Sequence, residues 1–344
     1  MKIKKEFFGE TSEKHEISLY HIANDYGITA SVTNFGATLT SLKLPDKNGK
    51  PEPVTLGFDT LEEYISSTWF CGATIGRYAN RMKDGRFSLD GKEYQLDQNS
   101  FPSHLHGGKT GLHKKAWTVE IDTKSDSTDL IFSCLSKDGE EGYPGHLSVI
   151  VTYTLNNQNE LIIAYRAETT QATPLNLTNH TYWNLKGVGT GDTLEHELTL
   201  FADRYIPTDA DRIPTGEILE VTGTFMDFTQ PQTIGARIKQ IDGGGYNHCY
   251  VFNKQYGELS LAARVKEPTS CRVMEVYTTE PGIQFYSGHF LNNCKGNGGV
   301  FFNTCDAFCL EAQHFPNSVN QPQFPSTILR PGETYRQTTI HKFL

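Results

Sequence analysis

The chain has 344 residues, a length that a large all-β sandwich reaches as one unit, so length alone does not require two domains. Acidic residues outnumber basic ones to give a net charge of -9, and the basic residues are scattered, which argues against nucleic acid as a partner. No apolar run is long enough to span a bilayer, and the start, MKIKKEFFGE, lacks an apolar segment of signal-peptide length. We therefore expect a cytoplasmic protein with no membrane partner.

Seven cysteines form an odd set, and reduced thiols are the simplest interpretation. The only close pair, Cys305 and Cys309, lacks the second pair or the histidines that a zinc site needs. Asn176 and Asn179 match the glycosylation acceptor pattern, but without a secretory signal we assign both to structure or substrate.

Short alternating runs recur along the chain, from EISLYHIA (16–23) to RVMEVYTT (272–279), with the period of two that is typical of half-buried strands. Clusters rich in Gly, Pro, Asn and Asp, such as PDKNGK and KDGEEGYPG, separate the runs and indicate turns. Only residues 60–67 and 233–240 have a helical pattern. The sequence predicts an all-β fold, a large antiparallel β-sandwich with a few short helices, in a single domain over residues 1–344.

The first patch with possible chemistry is GRYANR, which offers Arg77, Asn80 and Arg81 before a predicted hairpin. An arginine fork and an amide can hold vicinal hydroxyls or an oxyanion, although an arginine near a turn is more often a solvated charge.

The second patch is HLHGG, in which His104 and His106 are expected to share a face of a strand that ends at the two glycines. The missing glycine side chains let a ligand approach the backbone. Two histidines at this spacing also suggest a metal, but His113 is a weak third ligand, so we predict no metal site.

The third patch is NLTNHTYWN, where alternation predicts Asn176, Thr178, His180 and Tyr182 on one face. Such a row of hydrogen-bonding groups suits a hydroxyl-rich ligand. A structural histidine with satisfied hydrogen bonds is the alternative interpretation of His180.

The fourth patch is FCLEA, where Glu311 lies in a strongly apolar setting. Desolvation there raises the pKa of a carboxyl group and makes it a better base. The alternative is a strand residue that points outward. A carboxylate and an imidazole across one pocket can move two protons without a cofactor, so we predict acid/base work on a neutral substrate.

Six segments in this order resemble the aldose 1-epimerase (galactose mutarotase) family. They are ATIGRYANR (73–81), HLHGG (104–108), PLNLTNHTYWNL (174–185), ADRYIPTD (202–209), TEPGIQFYSG (279–288) and LEAQHFPNSVNQP (310–322). The resemblance covers nearly the whole chain. It implies a galactose mutarotase-like supersandwich and a cofactor-free isomerase that interconverts the α and β anomers of free aldohexoses.

The resemblance also implies roles for individual residues. The family's general base falls on Glu311 and its general acid on His180, while His106 matches the second active-site histidine. The family's sugar-binding residues fall on three positions of this chain, which are Asn80, Arg81 and Gln284.

One position departs from the family pattern, because GGYNHCY places Asn247 where the family usually has an aspartate. An amide both donates and accepts, and neutral hydrogen bonds are weaker than charge-assisted ones, so Asn247 is expected to raise KM or alter the preferred hydroxyl pattern. Asp242 lies in a glycine-rich turn, and we do not transfer the role to it.

The role of His104 stays open. Trp69, Phe70 and Trp183 are candidates for an aromatic face, with core packing as the alternative.

Three other functions are weaker interpretations. A hexose-6-phosphate epimerase needs several arginines converging on a phosphate, and Arg77, Arg81 and Arg86 are few and local. A glycosidase needs a pair of carboxylates, and only Glu311 has a suitable setting. A sugar-binding module without turnover is the alternative from another class of protein.

We expect a monomer or weak dimer that acts on a small sugar.

Overall fold

Three large antiparallel sheets dominate the computed structural model, which describes residues 1–344. The predicted all-β class is confirmed, since short helical segments connect strands and none of the helices has the length and apolar character needed to cross a membrane. The strands are short and separated by turns that carry glycine, asparagine or aspartate in the left-handed region of backbone conformation.

Thirty strands follow one another along the chain. They are β1 Lys2–Glu10, β2 Glu16–Ala23, β3 Thr29–Thr33, β4 Thr38–Pro45, β5 Pro51–Pro53, β6 Thr74–Ile75, β7 Arg81–Met82, β8 Arg86–Leu89, β9 Lys92–Gln95, β10 His104–Leu105, β11 Thr118–Thr123, β12 Ser127–Ser136, β13 Leu147–Asn156, β14 Glu160–Thr169, β15 Thr173–Pro174, β16 Thr178–Asn179, β17 Tyr182–Trp183, β18 Glu197–Leu200, β19 Arg204–Ile206, β20 Leu219–Glu220, β21 Gln232–Thr233, β22 Asn247–Val251, β23 Ser260–Lys266, β24 Val273–Thr278, β25 Gly282–Tyr286, β26 Cys294–Lys295, β27 Phe301–Phe302, β28 Phe308–Gln313, β29 Ile328–Leu329 and β30 Tyr335–Phe343.

The α-helix, α1, spans Leu61–Ser66 and begins after Thr60. The Thr60 side chain accepts from the Glu63 N–H, and the Glu63 carboxylate accepts from the Thr60 N–H, which is a complete capping box. The helical prediction for 60–67 is therefore confirmed. The other predicted helix, 233–240, is two 3₁₀ turns, Ile234–Ala236 and Ile238–Gln240. Further 3₁₀ turns are Lys83–Gly85, Leu112–Lys114, Glu140–Gly142, Asn297–Gly299 and Ser318–Asn320.

The largest sheet has nine strands in the order β11-β12-β13-β14-β30-β24-β23-β18-β21. A six-stranded sheet has the order β17-β28-β25-β22-β19-β20, and a five-stranded sheet contains β1 to β5 in chain order. One cluster of 52 buried apolar residues takes members from all three sheets, for example Val32, Val151 and Phe285. The sheets therefore pack face to face over a shared core, which is the arrangement of a large sandwich.

The six-stranded sheet positions the site because β28 lies inside it, between β17 and β25. Phe308 and Leu310 of β28 point into the shared core. Alternation turns Cys309, Glu311 and Gln313 to the opposite face of the sheet. All six residues of β28 are buried, so segments of the chain outside the sandwich cover this second face as well.

Candidate active site

Three titratable side chains from distant parts of the sequence meet beside β28. Glu311 comes from β28 itself, His180 from the two residues between β16 and β17, and His106 from the turn after β10. One nitrogen or oxygen of each lies within 4.8 Å of those of the other two. His180 Nε2 is 3.7 Å from Glu311 Oε1. The structure thus brings together the three residues that the sequence singled out.

Glu311 is nearly buried, with 3% of its side chain exposed, and its Oε2 has no protein partner. Burial raises the pKa of Glu311 to about 8, and the positive charge of Arg81 opposes that rise. The desolvation predicted for this carboxyl group is confirmed, although its nearest neighbours in the cluster are polar. A carboxyl group with a pKa near neutrality is suited to exchange protons with a substrate.

The chain that carries His180 is bonded to the strand that carries Glu311. The Asn176 amide donates to the carbonyl of His314, and the Thr178 hydroxyl donates to the carbonyl of Ala312. Upstream of β6, the His180 N–H donates to the carbonyl of Ala73. The bonds from Asn176 and Thr178 hold the His180 segment against the Glu311 segment, because side chains of the first donate to backbone carbonyls of the second.

The predicted polar face of residues 176–182 is wrong in part. Only Thr178–Asn179 and Tyr182–Trp183 are extended strand, because His180 and Thr181 cross from one sheet to another. Asn176 and Thr178 bond backbone carbonyls and do not form a row for a ligand. His180 alone of this segment joins the titratable cluster.

The His180 imidazole is held between two aromatic rings. Phe70 is stacked on it at a centroid distance of 6.0 Å, and Tyr182 is stacked at 4.9 Å. Burial lowers the pKa of His180 to about 4. In the free protein at neutral pH the ring is therefore uncharged, while the proton of the pair resides on Glu311.

His106 and Asn80 form a reciprocal backbone contact. The Asn80 N–H donates to His106 Nδ1 at 3.2 Å, and the His106 N–H donates to the Asn80 carbonyl. Both residues have left-handed backbone conformations, with φ of 62° and 54°. Burial, and then the neighbouring His180, lower the pKa of His106 well below its usual value. Because Nδ1 accepts, the neutral ring carries its proton on Nε2 and is a hydrogen-bond donor there.

The cluster of His106, His180 and Glu311 has the composition of a metal site, but the hydrogen bonds do not fit one. A metal on His106 Nε2 would require the proton to move to Nδ1, which faces the Asn80 N–H. Two donors would then oppose each other. The positive charge of Arg81 next to Glu311 further disfavours a cation.

His104 does not share a face with His106, so that expectation is wrong. The left-handed conformation of His106 ends β10 at Leu105 and turns its side chain away from the strand. His104 Nδ1 bonds the Asp97 carbonyl at 2.7 Å, and its Nε2 bonds the Tyr143 hydroxyl at 2.8 Å. Its role, left open by the sequence, is structural.

Arg81 and Arg77 have different tasks. Burial lowers the pKa of Arg81 to about 10, and the nearby charges of Arg212 and Glu311 act on it in opposite directions. The Arg77 guanidinium instead donates to the carbonyls of Ser136, Lys137 and Pro144. Arg77 therefore supports a turn, and of these two arginines only Arg81 belongs to the cluster.

Gln284 and Asn247 extend the site along the sheet. Gln284 of β25 is the register partner of Glu311, and its Nε2 donates to Asn247 Oδ1 at 2.7 Å. The Gln284 Oε1 is buried without a partner. Buried polar atoms are nearly always satisfied, so this oxygen is available to a ligand hydroxyl.

A cavity of about 610 Å³ adjoins the cluster at Asn247. Its other lining residues include Arg212, His248 and His289, and Asp242 lies in its exposed glycine-rich wall. A larger depression of about 1000 Å³, bordered by Lys109 and other exposed residues, contains none of the clustered groups. Glu311, His180 and His106 do not line the smaller cavity either, but Asn247 lines it and accepts from Gln284, the register partner of Glu311. We therefore place the entrance to the site at the smaller cavity.

Sequence reasoning missed two residues of this region. The Arg212 guanidinium lies over the Phe290 ring at 4.3 Å in the cavity wall, and Cys309 Sγ lies 3.6 Å from His180 Nδ1. Alternation along FCLEA could have paired Cys309 with Glu311. Among the aromatic candidates, Phe70 contacts the cluster, whereas Trp183 packs in the core. Trp69 packs beside a second apolar cluster, which contains Tyr182, Tyr286 and Cys309.

A supersandwich that gathers a carboxyl group and two imidazoles beside a polar cavity defines an acid/base site. The family model for aldose 1-epimerase matches residues 18–342. Galactose mutarotase of Rattus norvegicus is 44% identical over 99% of this chain and 98% of its own length. Aldose 1-epimerase of Escherichia coli (strain K12) is 33% identical over 95% of each. The chain belongs to the aldose 1-epimerase family.

Solved structures agree with this assignment. The GalM/aldose epimerase homologue from C. elegans has a TM-score of 0.88 at 35% identity, covering 95% of this chain and 98% of that chain. Galactose 1-epimerase from Lactobacillus acidophilus has a TM-score of 0.87 at 28% identity, covering 100% and 98%. The predicted galactose mutarotase-like supersandwich is confirmed.

Proposed function

We propose that this protein is a cofactor-independent aldose 1-epimerase that interconverts the α and β anomers of free aldohexoses such as galactose and glucose. The observation that carries the proposal is the 3.7 Å approach of His180 Nε2 to Glu311 Oε1, beside His106, in a chain of this family. Ring opening of a cyclic aldose requires one group that removes a proton and a second, nearby group that donates one.

Glu311 is the general base and removes the proton from the anomeric hydroxyl. His180 is the general acid and gives its proton to the ring oxygen, so that the bond between C1 and the ring oxygen breaks and an open aldehyde forms. Rotation about the C1–C2 bond exposes the other carbonyl face. The reverse transfers then close the ring, and both residues recover their starting protonation states.

This direction requires the proton of the pair to reside on His180 when the sugar is bound. Arg81 supports that state because its positive charge stabilises the ionised Glu311. Sugar hydroxyls that donate to the carboxylate act in the same sense, since hydrogen bonds to a charged form favour it. In the free protein the uncharged arrangement prevails because both groups are buried.

His106 donates from Nε2 to the ring-oxygen region and helps to stabilise developing negative charge there. Gln284 and Asn247 bind sugar hydroxyls from the sheet, Arg81 binds them as a charged donor, and Asn80 offers its Nδ2 because its Oδ1 already accepts from the Arg81 N–H. These assignments follow from which donors and acceptors the protein leaves unused.

The alternative enzyme classes lack support in the same geometry. A phosphate site would need converging arginines, but Arg77 supports a turn and Arg86 bonds Gln95 in a hairpin. A glycosidase would need a second carboxylate near Glu311, and the cluster supplies histidines instead.

We further propose that residues 1–344 act as a single domain, as a monomer or weak dimer, in the cytoplasm.

Polarimetry of freshly dissolved α-D-galactose and α-D-glucose tests the proposal. Wild-type protein should accelerate the change in rotation, and Glu311→Gln and His180→Asn should each lower kcat by about 10² to 10⁴-fold. Sugar binding, measured by calorimetry, should change far less. A wild-type protein that binds galactose without altering the rate of mutarotation would instead be a sugar-binding module.

A further inference from the structure

The strand that carries Glu311 also meets the second nitrogen of His180. Cys309 precedes Glu311 by two residues, and alternation puts both side chains on one face of β28. Cys309 Sγ lies 3.6 Å from His180 Nδ1, while Glu311 Oε1 lies 3.7 Å from Nε2. One strand therefore contacts the imidazole at both of its nitrogens.

Two aromatic neighbours define the plane of the His180 ring but not its orientation within that plane. Phe70 and Tyr182 are stacked on the imidazole with interplanar angles of 25° and 27°. A half-turn about the Cβ–Cγ bond leaves the ring in the same plane, so stacking alone permits both orientations. The half-turn would move Nε2 away from Glu311 and put a ring carbon beside the sulfur. The contact of Nδ1 with Cys309, like the approach of Nε2 to Glu311, is made only in the observed orientation.

The Cys309 thiol is suited to this contact because it is uncharged. It is fully buried in an apolar cluster that also contains Tyr182, Tyr286 and Cys71. Burial raises the pKa of Cys309 well above its usual value, so the sulfur keeps its proton at physiological pH. A carboxylate in the same place would stabilise the imidazolium and make His180 a weaker acid. A neutral thiol orients the ring without that effect.

We propose that Cys309 is a positioning residue that selects the orientation of His180 with Nε2 toward Glu311 and the sugar. This inference rests on the proposed function, because it assumes that His180 is the acid. Cys309 touches neither the sugar nor the reacting atoms in this arrangement. Its loss should therefore lower kcat and leave KM nearly unchanged.

The test compares Cys309→Ala with Cys309→Ser and with Cys71→Ala as the matched control. Cys71 is buried in the same apolar cluster, so its truncation removes the same volume without removing the thiol beside Nδ1. We expect kcat to fall about 5-fold in Cys309→Ala, as for the loss of one modest hydrogen bond, with KM within about 2-fold. Cys309→Ser, which puts a hydroxyl in place of the thiol, and Cys71→Ala should stay within about 2-fold of wild type.

Nitrogen-15 NMR of histidine-labelled protein supplies a readout that packing alone would not change. The His180 signals, assigned by difference with His180→Asn, should show one ring state in wild type and an exchanging ring in Cys309→Ala. Cys309→Val gives the same comparison with the volume kept.

Equal kcat values for Cys309→Ala and Cys71→Ala, with unchanged His180 signals, would overturn the role of Cys309 while leaving the proposed function intact. A wild-type protein that does not accelerate mutarotation would overturn the proposed function itself.

Discussion

His180 Nε2 and Glu311 Oε1 are 3.7 Å apart, slightly farther than an ordinary hydrogen bond, and both lie in one buried cluster of titratable groups. In the free protein this pair holds one proton, on Glu311, because two separated charges are costly in a buried site. The ionised pair that the chemistry needs carries the same net charge. Substrate binding therefore has to move one proton within the pair and does not have to exchange one with solvent.

The pH dependence of kcat/KM should be bell-shaped, with limbs near pH 4 and pH 8. Below the lower value both groups are protonated and no base is present, whereas above the upper value both are deprotonated and no acid is present. The two apparent values belong to the coupled pair. Initial rates of α-D-galactose mutarotation, corrected for the uncatalysed rate at each pH, give the profile. A flat profile across this range would contradict the shared-proton arrangement.

Glu311→Gln should stabilise the fold at alkaline pH although it lowers turnover. The pKa of Glu311 is raised from 4.5 in an exposed carboxyl group to about 8 in the folded protein. The folded state therefore binds the proton more tightly than the unfolded state, and wild-type stability falls as pH rises from the lower value to the upper one. Glutamine removes that loss. We expect the variant's gain in unfolding free energy to be larger at about pH 8.5 than at about pH 5, by roughly 4 kcal/mol, in urea titrations.

Asn247→Asp should lower KM for the preferred aldose by roughly 3 to 10-fold, because a carboxylate makes stronger hydrogen bonds to sugar hydroxyls than an amide does. The Asp oxygen can still accept from Gln284 Nε2, so the sheet contact is retained. Rates across galactose, glucose and xylose measure the effect and show which hydroxyl Asn247 faces. Asn247→Ala is the control and should raise KM. Identical constants for both variants would exclude Asn247 from sugar binding.

Arg77→Ala and Arg81→Ala should separate stability from activity. Arg77 is buried and bonds three backbone carbonyls, so its loss should lower the unfolding free energy by about 3 kcal/mol with kcat/KM of the folded enzyme preserved. Arg81 lies beside Glu311, so its loss should lower kcat/KM by about 10²-fold and move the upper pH limb higher. Thermal unfolding and polarimetry on the same preparations make the comparison. The opposite pattern would reverse the two assignments.

Much of the architecture was predictable because a period of two is a local property of the sequence. The alternating runs EISLYHIA (16–23) and ELIIAYRAE (160–168) correspond to β2 and β14 almost to the residue. A third alternating run, HELTLFADRYI (196–206), divides into β18 and β19, which belong to different sheets. Alternation continues across such a crossing, and the pattern does not show where the chain leaves one sheet for another.

The sequence predicted which residues form the site better than it predicted the directions of their side chains. Glu311 and His180 were found because unusual polar groups stand in apolar or amide-rich segments. The predicted direction of the His104 side chain was wrong because the sequence does not reveal the left-handed backbone conformation of His106. Non-glycine residues seldom adopt that conformation. The sequence around Arg212 has no pattern that indicates a binding residue. Its place in the cavity wall depends on the fold of the loop between β19 and β20.

The bonds from Asn176 and Thr178 to the carbonyls of His314 and Ala312 have a consequence for how substrate preference can change. The acid and the base move as one body, whereas Arg212 and His289 belong to loops at the rim of the cavity. Replacements in those loops can widen or narrow the entrance while the distance between the acid and the base is kept. Selectivity and proton transfer thus depend on different segments of the backbone.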